Sequence, residues 1–253
     1  MLGLFFIGSI LQSQTSYSNE NENTKILKEI LKEIEQLKKG QDKLSKELAT
    51  LKTDQPSQNK AAGGVKGGKK NVPIGNSVVL GNADAPITVI KWTDFQWPYC
   101  AKSVSLIDDI LEKYPNDVKV VVKNFPLSFH KQARKAAKYA LAANKQGKFK
   151  EMYDLIFANY RTLKTNEDLP LELAQNIGLD LYQLNLDMNS LELEYQIEKE
   201  YNQLKSLKNS YENNEYSGVR LAVPKFFING REPEGRSLES FSKVIEEELK
   251  KHY

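Results

Sequence analysis

The spacing of apolar residues divides the chain into a heptad segment, a polar linker and a longer region of alternating strands and helices. Across residues 24–52, apolar side chains recur at alternating steps of three and four, the pattern of a coiled-coil seam. The seam positions are Leu27, Ile30, Ile34, Leu37, Gln41, Leu44, Leu48 and Leu51. Because Lys and Glu fill most other positions, we expect this helix to pack against copies of itself. A single helix folded back on the rest of the chain is the alternative.

A change of composition separates the heptad segment from the linker. Residues 53–77 are rich in Gly and Lys, which predicts a flexible linker. From residue 78 the β-branched runs Ile87–Thr93 and Val118–Val122 predict two strands, and the amphipathic stretch between them predicts a helix. Such a β-α-β unit places its strands parallel.

The second half of this region is helical before the sheet resumes. Helical periodicity across residues of about 128–215 predicts an inserted group of helices. Phe226–Ile228 then predicts a strand, and Asn229-Gly230 predicts a tight turn into a partner strand that begins at Arg231. A last amphipathic helix completes the chain. The predicted order is β-α-β, helical insertion, β-β-α.

The N-terminal residues predict export. Leu2–Leu11 is an apolar run too short to span a bilayer, and Ser16-Tyr17-Ser18 supplies small residues at a cleavage site. We therefore expect a signal peptide over residues 1–18, a mature protein in the periplasm or otherwise secreted, and no stable membrane span after cleavage. A buried N-terminal segment is the alternative.

Composition narrows the chemistry. The 253 residues are 40% hydrophobic and 27% charged, as in a globular protein, and the net charge of +3 is too small to indicate a nucleic-acid partner. One cysteine excludes an intrachain disulfide. One cysteine and two histidines offer no usual ligand spacing, so we expect neither a metal nor a cofactor.

The single cysteine lies in a distinctive context, Trp97-Pro98-Tyr99-Cys100, directly after a predicted strand. A Cys-x-x-Cys pair with proline in second place, at the start of a helix, is a dithiol redox site. Here the fourth position is intact and tryptophan occupies the first. The pattern indicates a redox site that lacks its attacking sulfur.

With the segments around it, this motif resembles the DsbA-like family of periplasmic thiol–disulfide oxidoreductases. The resemblance extends from Val78 to the C-terminus. The matching segments are Val79–Pro86, Asp94–Gln96, Pro98–Cys100, Asn124–His130, Val223-Pro224 and Phe226–Gly230. It implies an α/β thioredoxin fold with an inserted helical domain, here preceded by the coiled-coil helix and the linker.

The resemblance also implies roles for individual residues. The family's first cysteine is a thiolate nucleophile at a helix N-terminus, and its second cysteine resolves the mixed disulfide. Trp97 stands at the first position and Cys100 at the second. Lys91 stands where family members commonly carry a buried acid, and we expect it to extend outward or to pair locally. Dithiol chemistry is therefore expected to be lost or reduced.

The substrate-binding side of the family pattern is retained. Pro224 aligns with the family's cis-proline, and the backbone of Val223 is expected to pair with an extended peptide; Pro98 and Tyr99 complete the expected binding residues. Trp97 either contacts a client or only covers the old site. His130 is interpreted as a hydrogen-bonded residue at the start of a helix.

Two principal functions are consistent with these expectations. The first is an exported, DsbA-like protein acting on cysteine-containing clients, with any residual redox work passing through Cys100. The second is a non-catalytic peptide-binding or chaperone module that displays several grooves by oligomerising through residues 27–51. A purely structural oligomer is a third, which the retained groove residues disfavour.

Overall fold

The computed structural model describes residues 69–252 except 209–210, 213–214 and 217–218, together with positions 24, 25, 28, 29, 32, 35, 36 and 39. The described positions between 24 and 39 are helical and exposed, and Lys39 forms an ion pair with Glu35 at 3.1 Å. The predicted signal peptide and the seam residues of the predicted coiled coil lie outside the described residues. In the described part, no helix combines the length and apolar character needed to cross a membrane.

A four-stranded mixed sheet forms the centre of the domain. The strands of the whole described region are β1 (Val78–Gly81), β2 (Ile87–Thr93), β3 (Val118–Asn124), β4 (Tyr211–Glu212), β5 (Glu215–Tyr216) and β6 (Lys225–Ile228). The order in the main sheet is β1-β3-β2-β6, and β4 pairs only with β5. As predicted, β2 and β3 are parallel, with Ile87 opposite Val118. β1 and β6 add antiparallel edges.

Helices cover the sheet and form the insertion. They are α1 (Pro98–Ala101), α2 (Val104–Lys113), α3 (Ala133–Lys145), α4 (Phe149–Ala158), α5 (Tyr160–Leu163), α6 (Leu169–Asn176), α7 (Leu181–Met188), α8 (Leu191–Lys208) and α9 (Leu238–Leu249). The aromatic residues of α4 lie in the core: Phe157 stacks on Phe95 with ring centroids 4.8 Å apart, and Tyr153 packs edge-on against both. The whole is the predicted thioredoxin fold with a helical insertion.

Residues 69–77 differ from the sequence prediction, which assigned them to the flexible linker. The amide of Lys70 donates to the carbonyl of Gly230 at 2.8 Å, and Val72 and Ile74 pack against the core. A Cβ on Gly230, where φ is +82°, would lie 2.5 Å from the Lys70 carbonyl oxygen, so only glycine permits this approach. The predicted start of the domain at residue 78 is therefore too late, because Val72 and Ile74 already anchor residues 69–77 to the core.

The predicted hairpin after β6 is also shorter than expected. Asn229 and Gly230 form the turn with positive φ angles of 45° and 82°. In residues 219–252, pairing beyond the turn is limited to one bridge between Ile228 and Arg231. Pro233 lies two residues further on, and a proline has no N–H to extend such a ladder.

Candidate functional site

Helix α1 begins directly after Trp97, the residue at the first position of the redox motif. Trp97 has extended backbone angles, and Pro98 occupies the first helical position. Proline suits that position because its φ is already helical and its missing N–H would have no partner there. The amides of Cys100 and Ala101 donate to the Trp97 carbonyl at 3.0 and 3.1 Å. The Trp97 side chain forms no hydrogen bond to the helix end.

A buried carboxylate holds the loop that carries Trp97. Asp94 Oδ1 accepts from the amide of Gln96 at 2.7 Å, and Oδ2 accepts from the amide of Leu127 at 2.7 Å. His130 Nδ1 lies 3.0 Å from the same Oδ2. Burial raises the pKa of Asp94, whereas the hydrogen bonds from Leu127 and His130 oppose that rise. Asp94 thereby ties the end of β2 to the loop before α3.

In the sequence, Asp94 was identified only as part of the matching segment Asp94–Gln96. Its role in holding the loop that carries Trp97 was not predicted. An aspartate side chain often forms a turn by accepting a hydrogen bond from the backbone amide two residues later in the chain. That tendency was the available sequence signal for Asp94. The partnership of His130 agrees with its interpretation as a hydrogen-bonded residue near a helix start, because its carbonyl accepts from Ala133, the first residue of α3.

Cys100 is enclosed in the core. It has no exposed surface, and the amide of Asp94 donates to its sulfur at 3.4 Å. Burial raises the pKa of the Cys100 thiol to about 11 because the thiolate would lose its hydration. The thiol of Cys100 is therefore both protonated at neutral pH and shielded from a client.

Lys91 is also fully buried, so of its two expected arrangements the structure has the local pairing. Its ammonium donates to the hydroxyl of Tyr153 at 2.5 Å and lies 5.2 and 5.4 Å from the ring centroids of Tyr153 and Phe157. Burial lowers the pKa of Lys91 to about 8. Within the described residues, no carboxylate forms an ion pair with this ammonium, so ring faces and one hydroxyl supply its partners.

Four rings form an aromatic cluster at the tip of α1: Trp97, Tyr99, Phe129 and His130. The Trp97 ring centroid lies 5.3 Å from that of Tyr99, 6.3 Å from that of Phe129 and 5.4 Å from that of His130. Tyr99 is 55% exposed and Phe129 is 67% exposed. A contiguous exposed group of large rings is typical of an interaction surface.

A groove of about 430 Å³ lies beside this cluster, and Trp97, Tyr99, Val223 and Pro224 are among the residues that line it. The Val223–Pro224 peptide bond is cis. Within the described residues, neither the amide nor the carbonyl of Val223 forms a hydrogen bond. Val223 is only 5% exposed, and it lines the groove together with the half-buried Trp97 and the exposed Tyr99.

The structure brings together some of the predicted site residues and separates others. Trp97, Tyr99, Val223 and Pro224 line one groove. Lys91, Pro98 and Cys100 do not line it, and Lys91 and Cys100 are buried. Sequence reasoning missed Arg220 and Arg236, which also line the groove. Among the described residues, no three His, Cys, Asp or Glu side chains are grouped to hold a metal ion.

Comparison with solved structures places the fold among known proteins. A thioredoxin-like oxidoreductase from Silicibacter pomeroyi superposes with a TM-score of 0.58 at 25% identity, over 70% of this chain and 94% of the other. BdbD from Bacillus subtilis superposes with a TM-score of 0.58 at 22% sequence identity, over 74% of this chain and 98% of BdbD. Alpha-DsbA1 from Wolbachia pipientis superposes with a TM-score of 0.57 at 20% identity, over 71% of this chain and 94% of the other.

Comparison of sequences agrees over the same region. The profile described as Thioredoxin matches residues 74–247. Among curated proteins, Na(+)/H(+) antiporter NhaA 3 of Salinispora tropica is 38% identical over 104 residues, or 41% of this chain. NhaA 1 of Salinispora arenicola is 30% identical over 169 residues, or 66% of this chain. The matched regions are 16% and 24% of the lengths of those two relatives.

Proposed function

This chain belongs to the thioredoxin family, as a DsbA-like member, and from that membership we propose that it binds extended segments of protein clients without catalysing thiol–disulfide exchange. The observation that carries the proposal is the contrast between the two parts of the site. Cys100 is buried and protonated, and position 97 has no sulfur. The groove along Val223 and Pro224 nevertheless remains open.

Exchange requires a thiolate that reaches a client sulfur, forms a new S–S bond and expels the second sulfur as the leaving thiolate. Because burial raises the pKa of Cys100 to about 11, the thiol stays protonated at pH 7. Its complete burial removes access as well. The indole of Trp97 has no sulfur and cannot replace a cysteine in thiol–disulfide exchange.

The groove supports binding by two complementary contacts. An extended peptide can pair with the amide and carbonyl of Val223 as an added strand, which requires no particular peptide sequence. Trp97 and Tyr99 provide apolar area for one of its side chains. Buried aromatic contacts dominate many peptide interfaces, so the tryptophan serves the client-binding surface rather than only covering an old active site.

Export and oligomerisation extend the same proposal. The leader-like residues 1–18 would deliver the protein to the periplasm or the exterior, where protein clients with cysteines are oxidised. The heptad residues 27–51 would join several chains, so that several weak grooves act on one unfolded client with increased avidity. Both statements rest on sequence pattern.

The absence of exchange is tested by reduction of insulin with dithiothreitol. We expect the wild-type protein to leave the rate of insulin precipitation unchanged, and native Cys100 to resist iodoacetamide until the protein is unfolded. The matched control is Trp97→Cys, which restores a first-position sulfur and should form an internal disulfide with oxidised glutathione, releasing two molecules of reduced glutathione. Wild-type turnover that disappears in Cys100→Ser would contradict the proposal.

Binding is tested with a client that has no thiols. Insulin B chain whose cysteines are carbamidomethylated cannot form a mixed disulfide, and its affinity is measured by calorimetry. We expect Trp97→Ala and Tyr99→Ala to weaken binding by about tenfold each, since each removes a contact worth about 1 kcal/mol or more. Tyr182→Ala is the control, because Tyr182 is 76% exposed and lies on α7 outside the groove. Equal affinities for all four proteins would place binding elsewhere.

A further inference from the structure

The charges along the groove are unequal once their partners are considered. Five charged side chains line it: Arg220, Lys225, Glu232, Glu234 and Arg236. Lys225 pairs with Glu232 at 2.6 Å, and Glu234 lies 3.9 Å from Lys243. Within the described residues, Arg220 and Arg236 form no ion pair. The groove lining therefore carries a net positive charge, and its two arginines are the cations without an ion-pair partner in the described part of the chain.

Arg236 contacts the backbone that a peptide would follow, and Arg220 lines the same groove. Arg236 donates through Nη2 to the carbonyl of Pro224 at 3.0 Å, which holds its guanidinium beside the cis-proline and leaves other N–H donors for a ligand. Arg220 is exposed and precedes Val223 by three residues, about 10 Å of extended chain. A guanidinium presents a planar fork that matches a carboxylate with two parallel hydrogen bonds.

We propose that the groove selects extended peptide segments in which an acidic residue lies within about three positions of an apolar or aromatic residue. Trp97 and Tyr99 contact the apolar side chain, and Arg220 and Arg236 bind the carboxylate. This inference rests on the proposed peptide binding and adds its specificity. The residue chemistry commits the groove to one class of occupant, an acidic–apolar peptide, because a basic segment would meet two unpaired like charges.

The test uses three capped peptides that share the core Ser-x-Phe-Val-x-Ser, in which x is Glu, Gln or Lys. Binding is followed by tryptophan fluorescence of the full chain, because Trp92 is fully buried and Trp97 lies at the groove. We expect the Glu peptide to bind at least about tenfold more tightly than the Lys peptide in 50 mM salt. The ratio should shrink in 0.5 M salt, since exposed charges are screened there.

A single and a double variant test whether Arg220 and Arg236 bind the carboxylate of the peptide. Arg220→Glu, at an exposed position, should reduce the Glu preference severalfold. Combining it with Arg236→Gln, which keeps an N–H donor for the Pro224 carbonyl, should abolish the preference. Arg161→Glu is the matched control, because Arg161 is exposed on α5 and does not line the groove; it should retain the wild-type ratio. Circular dichroism checks that each variant is folded.

The outcomes distinguish this inference from the function on which it rests. Equal binding of the three peptides to the wild-type protein would overturn the acidic preference and leave peptide binding intact. A preference for Glu that persists in the double variant would also overturn it, because the carboxylate would then be recognised elsewhere. Absence of binding by any of the three peptides, together with no binding of alkylated insulin B chain, would overturn the proposed function itself.

Discussion

Lys91 shows how one substitution at the redox site changes the electrostatics of the core. The fold encloses its ammonium between β2 and α4, with the Tyr153 hydroxyl and two aromatic rings as partners. Burial lowers its pKa from 10.5 to about 8, which corresponds to a cost on the order of 3 kcal/mol for keeping it charged at neutral pH. An acid at this position would instead hold a proton for exchange chemistry, whereas a charged ammonium has no lone pair with which to accept one.

The cost of Lys91 predicts a pH-dependent gain on its removal. The folded-state pKa of about 8 lies below the unfolded value of 10.5, so the unfolded state binds more protons between these values. The penalty is complete below pH 8 and disappears as the pH rises toward 10.5. We expect Lys91→Met combined with Tyr153→Phe to raise the free energy of unfolding by about 1–3 kcal/mol at pH 7, with the gain shrinking toward pH 10. Urea denaturation at several pH values measures it.

Tyr153→Phe alone is the informative control for that pair. It removes the one hydroxyl that accepts from the buried ammonium, and we expect it to destabilise the protein at pH 7, because an unsatisfied buried donor costs about 1–3 kcal/mol or more. If the double variant were less stable than the wild type at pH 7 and showed no pH trend, the electrostatic account of Lys91 would be wrong.

At the scale of elements, a buried polar network joins residues 69–77, β3 and α8. Lys123 donates to the carbonyls of Pro73 and Ile74 at 2.9 and 2.8 Å. Glu200 of α8 accepts from the Ser77 hydroxyl at 2.7 Å and from the amide of Asn124 at 2.7 Å. These contacts, rather than local propensity, hold a segment of linker-like composition against the edge of the domain.

This network predicts the effect of one isosteric change. Glu200→Gln replaces an acceptor oxygen with an NH₂ group in a place where the surrounding groups are donors, the Ser77 hydroxyl, the Asn124 amide and side chain, and Gln196. We expect a loss of about 1–3 kcal/mol in the free energy of unfolding, with faster hydrogen exchange in residues 70–77.

Glu198→Gln on the same helix is the matched comparison. Glu198 is about half exposed, and its ion pair with Arg134 at 2.9 Å lies at the surface, so its loss should cost no more than about 0.5 kcal/mol. Similar effects of the two substitutions would show that the buried network does not hold the segment.

At the scale of the whole molecule, the heptad pattern predicts an oligomer. Leu37→Glu with Leu44→Glu introduces two charges into the predicted seam, and we expect light scattering to show a mass of one chain, against two or more chains for the wild type. Lys25→Glu with Lys32→Glu changes two exposed helical positions outside the seam and should leave the mass unchanged. A wild-type mass of one chain would contradict the coiled coil and remove the avidity argument.

Local patterns predicted most of the elements because hydrophobic periodicity records which face of a segment is buried. The strand Ile87–Thr93 has the predicted bounds, and β3 begins at Val118 as predicted. That Trp97 and Pro224 line one groove was expected for a different reason. Trp97 and Pro224 are more than 120 positions apart in the chain, and resemblance to a family, rather than periodicity, placed them together.

What the sequence determined by itself was the chemistry available: one thiol, an indole at the helix start, and the alternation of strands and helices that makes an α/β domain. The tertiary structure alone decided which groups are reachable. It buried Cys100 and Lys91, gave Asp94 three partners, and left Arg220 and Arg236 without ion pairs, within the described residues, beside the open groove. Burial and pairing depend on contacts between distant segments, so they shift pKa values and expose or hide groups in ways that no local pattern encodes.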